Sequence, residues 1–406
     1  MKKFLLIITI TITLILFTLF SDKANEVSKP YLAEFIESKI DKNIQIDIEE
    51  YKLDYNYITI LAKVNKRSPI KIYGRFNALS KDLDINYTIE SVEKIVTIKD
   101  ITIPPNTTIH GNIKSQIKGV EASIDGVAIS DIANLTLKNG KLNLDTMELS
   151  TKFILDIENL KNISFITKRD LKGELKIAGD IEKKGKRLHI KGVTNSFDGE
   201  IDFSLLNERV SANIKKISVE KISHTLNYPL ILSAPLSGKL NYNLKTKQGR
   251  LDSDLTGARV IKNRLTELVK KFTGTDLTRE VYTQTTLNAK LDKKSINFKL
   301  LAKSKRNQIS IYDSKLNRVK NHINAKYRVD IDGKDIKGKI KGDINSPKIT
   351  IDSSKFIEKK VKSVIDKYID KKHQEKIKSR LKDFGLDEEE RDKAINKAKD
   401  FLKGFL

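Results

Sequence analysis

From residue 43 to residue 352 the chain alternates apolar and polar positions with a period of two, the spacing of β-strands that bury one face. In KGKIKGDINSPKITID (Lys337–Asp352), Ile340 and Ile344 fall on one face with the preceding Ile336 and with Gly338 and Gly342. Lys337, Lys339, Lys341 and Asp343 fall on the other. LTLKNGKLNL (Leu135–Leu144) places Asn139-Gly140 between two leucine-bearing arms, a strong hairpin signal, and the plan recurs around Lys184-Gly185, Gln248-Gly249 and Lys293-Lys294. DIDGKDI is also best explained as a hairpin turn. Strands joined by short turns make an antiparallel meander. About twenty strands are expected, and open sheets rarely pass about ten without curling, splitting or flattening. The expected fold class is therefore mainly β, a long curled antiparallel meander forming a groove. Pro347, lacking an N–H, is expected to mark the end of ladder pairing.

Helical spacing interrupts this pattern in three places. In residues 23–42, Val27, Tyr31, Leu32, Phe35, Ile36 and Ile40 predict a short amphipathic helix with Ser28 as its cap and Pro30 in its first turn. Leu265, Leu268, Val269 and Phe272 predict an internal helix stopped by Gly274. Residues 353–406 carry stripes such as Val361, Val364, Ile365, Tyr368 and Ile369, which predict a lysine-rich helical tail broken at Gly385. The tail suits a cap on the sheet's open end, a membrane-surface helix or a partner-binding helix.

Residues 1–22 hold an uncharged run, Phe4 to Phe20, behind Lys2 and Lys3. At 1.5 Å per residue it spans about 25 Å, near the lower limit for crossing a bilayer. No small-residue cleavage site follows, so an uncleaved membrane anchor is expected, with a removed signal peptide as the alternative and the lysines on the cytoplasmic side. The bulk of the chain then lies across that membrane, which in a bacterium with two membranes is the periplasm.

The formal charge of +24 would suggest nucleic acid if lysines clustered with aromatic residues, but they alternate with Ile and Leu along the strands. A solvated outer face is expected, with attraction toward anionic lipid head groups as the alternative, and no nucleic-acid partner. Cysteine is absent, which excludes disulfides and thiol chemistry. His110, His189, His224, His322 and His373 lie far apart without ligand spacing. GKDIKGKI matches a phosphate-loop spacing but has Ile340 where a hydroxyl is needed, and Lys341 stands where a calcium loop starting at Asp330 needs Glu. No enzyme, cofactor or metal site is expected.

A sheet with one apolar face must hide it, either closed on itself or as an open trough filled by something apolar. Alternation marks Leu135, Leu137, Leu142, Leu144, Leu175, Ile177, Leu240, Tyr242, Leu244, Leu287, Ala289, Leu291, Ile296, Phe298 and Leu300 as candidate lining, equally consistent with plain core packing. Acyl chains suit a trough, since each buried methylene gains about 0.8 kcal/mol without specific polar contacts.

The layout resembles the AsmA-like superfamily of bacterial envelope proteins, which includes TamB-like members and is related to bridge-like lipid transfer proteins. The resemblance rests on the short anchor, SKPYLAEFIESKIDKNIQIDIEEYKL, the many short strands, the late helix LTELVKKFTG, and the closing element at Gly342, Ile344, Pro347, Lys348 and Ile349. It implies a single-pass inner-membrane protein whose periplasmic β-groove, residues 43–352, binds membrane phospholipids and supports intermembrane lipid transport and outer-membrane homeostasis. An envelope protein at the C-terminal end is a candidate partner. The rival expectation is a closed, lipid-free sheet serving as an envelope scaffold or outer-membrane protein assembly factor.

Overall fold

The computed structural model describes residues 21–37, 45–77, 82–91, 96–98, 101–103, 106–115, 121–143, 146, 148–352 and 389. The expected anchor at Phe4–Phe20 lies outside these residues, as does the expected helical tail apart from Glu389, which is helical; no described helix is long and apolar enough to cross a membrane. Twenty strands belong to one antiparallel sheet that does not close. By its internal contacts the chain divides into two units, residues 1–196 with 204–207, and residues 197–203 with 208–406.

In the first unit β1 (Ile46–Leu53), β2 (Tyr57–Val64), β3 (Ser68–Asn77) and β4 (Asp82–Ser91) are followed by a small separate pair, β5 (Val96–Ile98) and β6 (Ile101–Ile103). The meander resumes with β7 (Thr107–Ser115), β8 (Glu121–Ile129), β9 (Asn134–Asn143), β10 (Leu149–Ile157), β11 (Leu175–Lys184) and β12 (Arg187–Thr194). Apart from the small pair, each strand pairs with its sequence neighbours.

Asn139-Gly140 does not turn the chain. β9 runs straight through it, with Asn139 at φ +54° and its N–H donated to Asp125 Oδ1 at 2.7 Å, and the register slips there against both neighbours. The left-handed residue that a hairpin would use is used by a β-bulge instead. The extra residue corrects parity, so Leu135, Leu137 and Leu142 share a face although five residues separate the last two.

Helix α1 (Asp22–Glu37) starts six residues before the expected cap. Ser21 Oγ accepts from Ala24 N at 3.3 Å, while Ser28 lies inside the helix with its hydroxyl donated to Ala24 O at 2.8 Å. Pro30 is therefore interior rather than first-turn. The helix lies against edge strand β1. Asn25 Nδ2 donates to Leu53 O at 3.3 Å, Asn25 Oδ1 accepts from Leu53 N at 3.1 Å, and Lys29 Nζ donates to Glu49 O at 2.9 Å. A side-chain amide thus stands in for the missing strand on an exposed edge. The 3-10 turn Leu160–Ile163 and the short α2 (Ser164–Thr167) join β10 to β11.

β13 (Glu200–Leu206) has residues in both units. The second unit continues with β14 (Arg209–Ser218), α3 (Val219–Thr225), β15 (Leu232–Ser233), β16 (Pro235–Asn243), β17 (Gln248–Leu255), β18 (Arg259–Val260), α4 (Arg264–Thr273), β19 (Gln284–Leu291), β20 (Ser295–Lys303), β21 (Asn307–Asn317), β22 (His322–Ile331), β23 (Lys334–Asp343) and β24 (Lys348–Ile351). β15 and β18 pair with each other; the other strands from β14 onward form a meander in chain order. The turns at Gly185, at Lys293-Lys294 and at Asp332-Gly333 fall where expected. The turn expected at Gln248-Gly249 is instead Leu244–Lys247, and Gly249 lies in β17 opposite Tyr242. Nor does pairing stop at Pro347: that residue sits in a tight turn, and β24 still pairs with β23 beyond it. Helix α4 is as expected, capped by Asn263 through Leu265 N and Thr266 N and ended by Gly274 at φ +75°.

Two glycines show how the sheet bends. A Cβ on Gly179 would overlap Lys191 O of β12, and one on Gly338 would overlap Thr350 O of β24. Both positions point to the apolar face, so there the neighbouring backbone comes round onto that side, a crease only glycine permits. Gly179→Ala is expected to cost about 2–4 kcal/mol in denaturant unfolding. Gly185→Asn, at a turn with φ +54° and open space around it, should cost less than about 1 kcal/mol; equal costs would refute the crease. For the edge cover, Asn25→Ala should speed hydrogen exchange at Leu53 at least about fivefold, since one hydrogen bond is worth about 1 kcal/mol.

Candidate functional site

Cross-strand registers assign every apolar position to a face. In the first unit one row runs Ile48, Ala62, Ile70, Ile89, Ile109, Ala128, Leu135, Leu155 and Ile177. The next runs Tyr51, Ile60, Ile72, Tyr87, Gly111, Gly126, Leu137, Phe153 and Gly179. A third begins Leu53, Ile58, Gly74, Ile85, Ile113 and Ile124. Together they form one apolar face across the meander.

A sheet face of this kind ordinarily packs on a second layer. Here Leu32 and Ala33 of α1 pack over Ile48, Ile60 and Ala62 at one end. Across the middle of the face Ile70, Ile72, Ile85, Tyr87, Ile89, Ile109, Ile113, Ile124, Leu135 and Leu137 all keep solvent contact, whereas Ala122, Phe153 and Ile157 are buried. Each Ile or Leu left half exposed forgoes on the order of 1 kcal/mol of transfer free energy. Tyr87 lies across Gly111 and Gly126, whose Cβ atoms would collide with its ring or hydroxyl. Burial, and secondarily Asp125, push its phenol above the usual range.

The second unit carries the same kind of face with a gradient. The row Ile217, Leu236, Leu255, Thr285, Ala302, Ile309, Val329 and Ile336 is buried throughout. Over this end sit segments inserted between β14 and β16 and between β17 and β19, with Leu265, Leu268 and Val269 of α4, Leu277 and Tyr282 in the same core cluster. At the other end Val210, Tyr242, Leu291, Ile296 and Ile323 are only half-buried, with Leu316 between the last two buried. Tyr327 is buried between these rows, lies over Gly338 and donates its hydroxyl to Thr350 O at 3.0 Å; burial pushes its phenol up.

Of the expected lining residues, Leu135, Leu137, Leu142, Leu175 and Ile177 lie half-buried on the first unit's apolar face. Leu240, Tyr242, Leu287, Leu291, Ile296 and Phe298 lie half-buried on the second's, with Ala289 and Leu300 buried there. Leu244 is corrected: it occupies the turn after β16 and is 47% exposed, outside the sheet. Leu144 lies outside the described residues. The expectation missed the isoleucines of β2 to β8, although Ile58, Ile60 and Ala62, or Ile85, Tyr87 and Ile89, show the same period of two. The opposite face is polar and paired in places, as in Lys176 with Asp156 at 3.1 Å and Lys326 with Asp313 at 2.9 Å. Among the described residues no group of His, Asp and Glu is placed to hold a metal.

The chain has no cysteine, so single-cysteine variants report accessibility cleanly. Ile113→Cys and Leu137→Cys should react readily with a maleimide in lipid-free folded protein, while Leu255→Cys and Ala302→Cys should stay protected. Equal protection at all four would mean the first unit's face is covered.

No protein-family model matches this chain, and no curated protein or solved structure matches it either.

Proposed function

We propose that this protein is a lipid-binding envelope protein that holds apolar chains against the open face of its sheet. The carrying observation is the first unit's face, rows rich in Ile and Leu across nine strands, on which, among the described residues, α1 packs at one end. An acyl chain suits such a surface: it needs no fixed polar partner, and each methylene removed from water gains about 0.8 kcal/mol. Binding or transfer is the role the surface's chemistry favours.

The apolar run Phe4–Phe20 supports a membrane-anchored, AsmA-like placement in a bacterial inner membrane, with the sheet on the periplasmic side and phospholipid as cargo. On this reading the protein contributes to intermembrane lipid transport or outer-membrane homeostasis. One observation favours the rival scaffold reading for part of the chain: the second unit buries Tyr327 and Val329 completely, as a dry core would.

Native mass spectrometry of the full chain, released from detergent, tests the proposal. Wild type is expected to carry phospholipid. Leu137→Asp, a charge on the apolar face, should lose most of it, and Lys138→Asp, one residue along on the polar face, should not. A folded, lipid-free wild type would turn the assignment to the scaffold.

A further inference from the structure

The second unit's hairpin turns alternate between its two ends. β14 ends, β16 starts, β17 ends and β19 starts at the end covered by α4. The turns Leu244–Lys247, Asp292–Lys294, Arg318–Asn321 and Ile344–Pro347 therefore gather at the opposite end, where the apolar face is half open. The last three are joined in series, and the first is tied to the turn before β14. Arg318 N donates to Lys294 O at 2.9 Å and Ile344 N to Asn321 O at 2.9 Å, while Leu244 N donates to Glu208 O at 2.8 Å. Asn243 Oδ1 and Asn317 Oδ1 each accept two backbone N–H groups of their own turn. The tips are thus a held rim rather than loose loops.

Two independent features mark this rim. Val319 is 74% exposed and Leu244 47%, aliphatic side chains carried at turn tips where polar residues would be at no disadvantage. Around them stand Lys245, Lys247, Lys293, Lys294, Arg318 and Lys320, against only Glu208, Asp292 and Asp343. Lys245 lies 3.9 Å from Glu208; Lys247, Lys293, Lys294 and Lys320 have no carboxylate partner among the described residues.

We propose that this rim is a docking edge for an anionic bilayer surface, setting the open end of the second unit's apolar face against lipid. It rests on the lipid-binding reading above and adds where lipid would enter or leave. A bilayer satisfies both features at once: the aliphatic tips enter the headgroup–acyl boundary, and the ammonium groups stay among the phosphates. A soluble polyanion would leave Val319 and Leu244 unused, and an apolar protein groove would leave the cations without partners.

The test uses full-length protein in phosphatidylcholine nanodiscs, mixed with vesicles with or without phosphatidylglycerol and separated by flotation. Wild type is expected to float with the anionic vesicles. Lys293→Glu/Lys294→Glu/Lys320→Glu should weaken this at least about tenfold, since each surface cation is worth about 1 kcal/mol. Val319→Asp/Leu244→Asp should weaken it too, with Val319→Ser as a milder form should folding suffer. The control Lys138→Glu/Lys141→Glu/Lys152→Glu makes the same charge change on the first unit's polar face and should stay within about twofold of wild type. Absence of wild-type binding, or equal loss in the control, overturns the proposal. So does binding that polyglutamate abolishes and Val319→Asp leaves intact, which would indicate a soluble acidic partner. Bound lipid, counted separately by mass spectrometry, separates the two claims: lipid without flotation sinks the rim alone, and flotation without lipid sinks the trough alone.

Discussion

An apolar sheet face must be covered, and the described residues set aside little to do so. Alternation gives each strand one apolar side, and antiparallel pairing in chain order adds those sides into a single surface. A sandwich would meet that surface with a second sheet. Among the described residues the first unit sets Leu32 and Ala33 of α1 on one end of it; the second devotes the residues between Leu255 and Gln284 to sealing one end. Candidate site, lipid reading and rim all follow from that shortage.

The face is shaped as well as apolar. At Gly179 and Gly338 the neighbouring strand comes onto the apolar side, where any side chain would collide with a backbone carbonyl. Opposite such glycines the chain places tyrosines, Tyr87 against Gly111, Tyr242 against Gly249 and Tyr327 against Gly338. The rings lie along the sheet and refill area the glycines leave bare, so bending costs less apolar contact than it otherwise would. Tyr327 also fastens β24 across β23 through Thr350 O, which steadies the last short strand.

Much of this was legible in the residues. The meander, the strand number, α4 with its stop at Gly274 and the apolar positions of β9, β11, β16, β19 and β20 followed from period and turn chemistry. The errors share a cause: a residue suited to positive φ says that the backbone departs from a strand, and not whether it turns back. Asn139 serves a bulge; Gly249 has no turn to make because Lys247, at φ +58°, already supplies it. Ser28 and Pro30 looked like a helix start because they are good there, but Ser21 begins the helix earlier and Asn25 docks it. The rim escaped notice because its parts, such as Leu244-Lys245 and Arg318-Val319-Lys320, are scattered in sequence and meet only when the meander brings its turns to one end.

Charge and apolarity are partitioned in a way that gives the second unit a direction. On the polar face of the strands, cations are often answered by acids, as Arg250 by Asp252 at 2.6 Å and Arg328 by Asp335 at 2.7 Å, and exposed pairs of this kind contribute little to stability. At the rim Lys247, Lys293, Lys294 and Lys320 have no carboxylate partner among the described residues. The apolar face follows the same axis, buried row by row beside α4 and increasingly open toward Tyr242, Leu291 and Ile296. A stability-driven design would have no reason to leave its apolar openings and its spare cations at the same end. A surface that exchanges amphiphiles with a bilayer does, because an acyl chain entering there leaves its phosphate among the lysines.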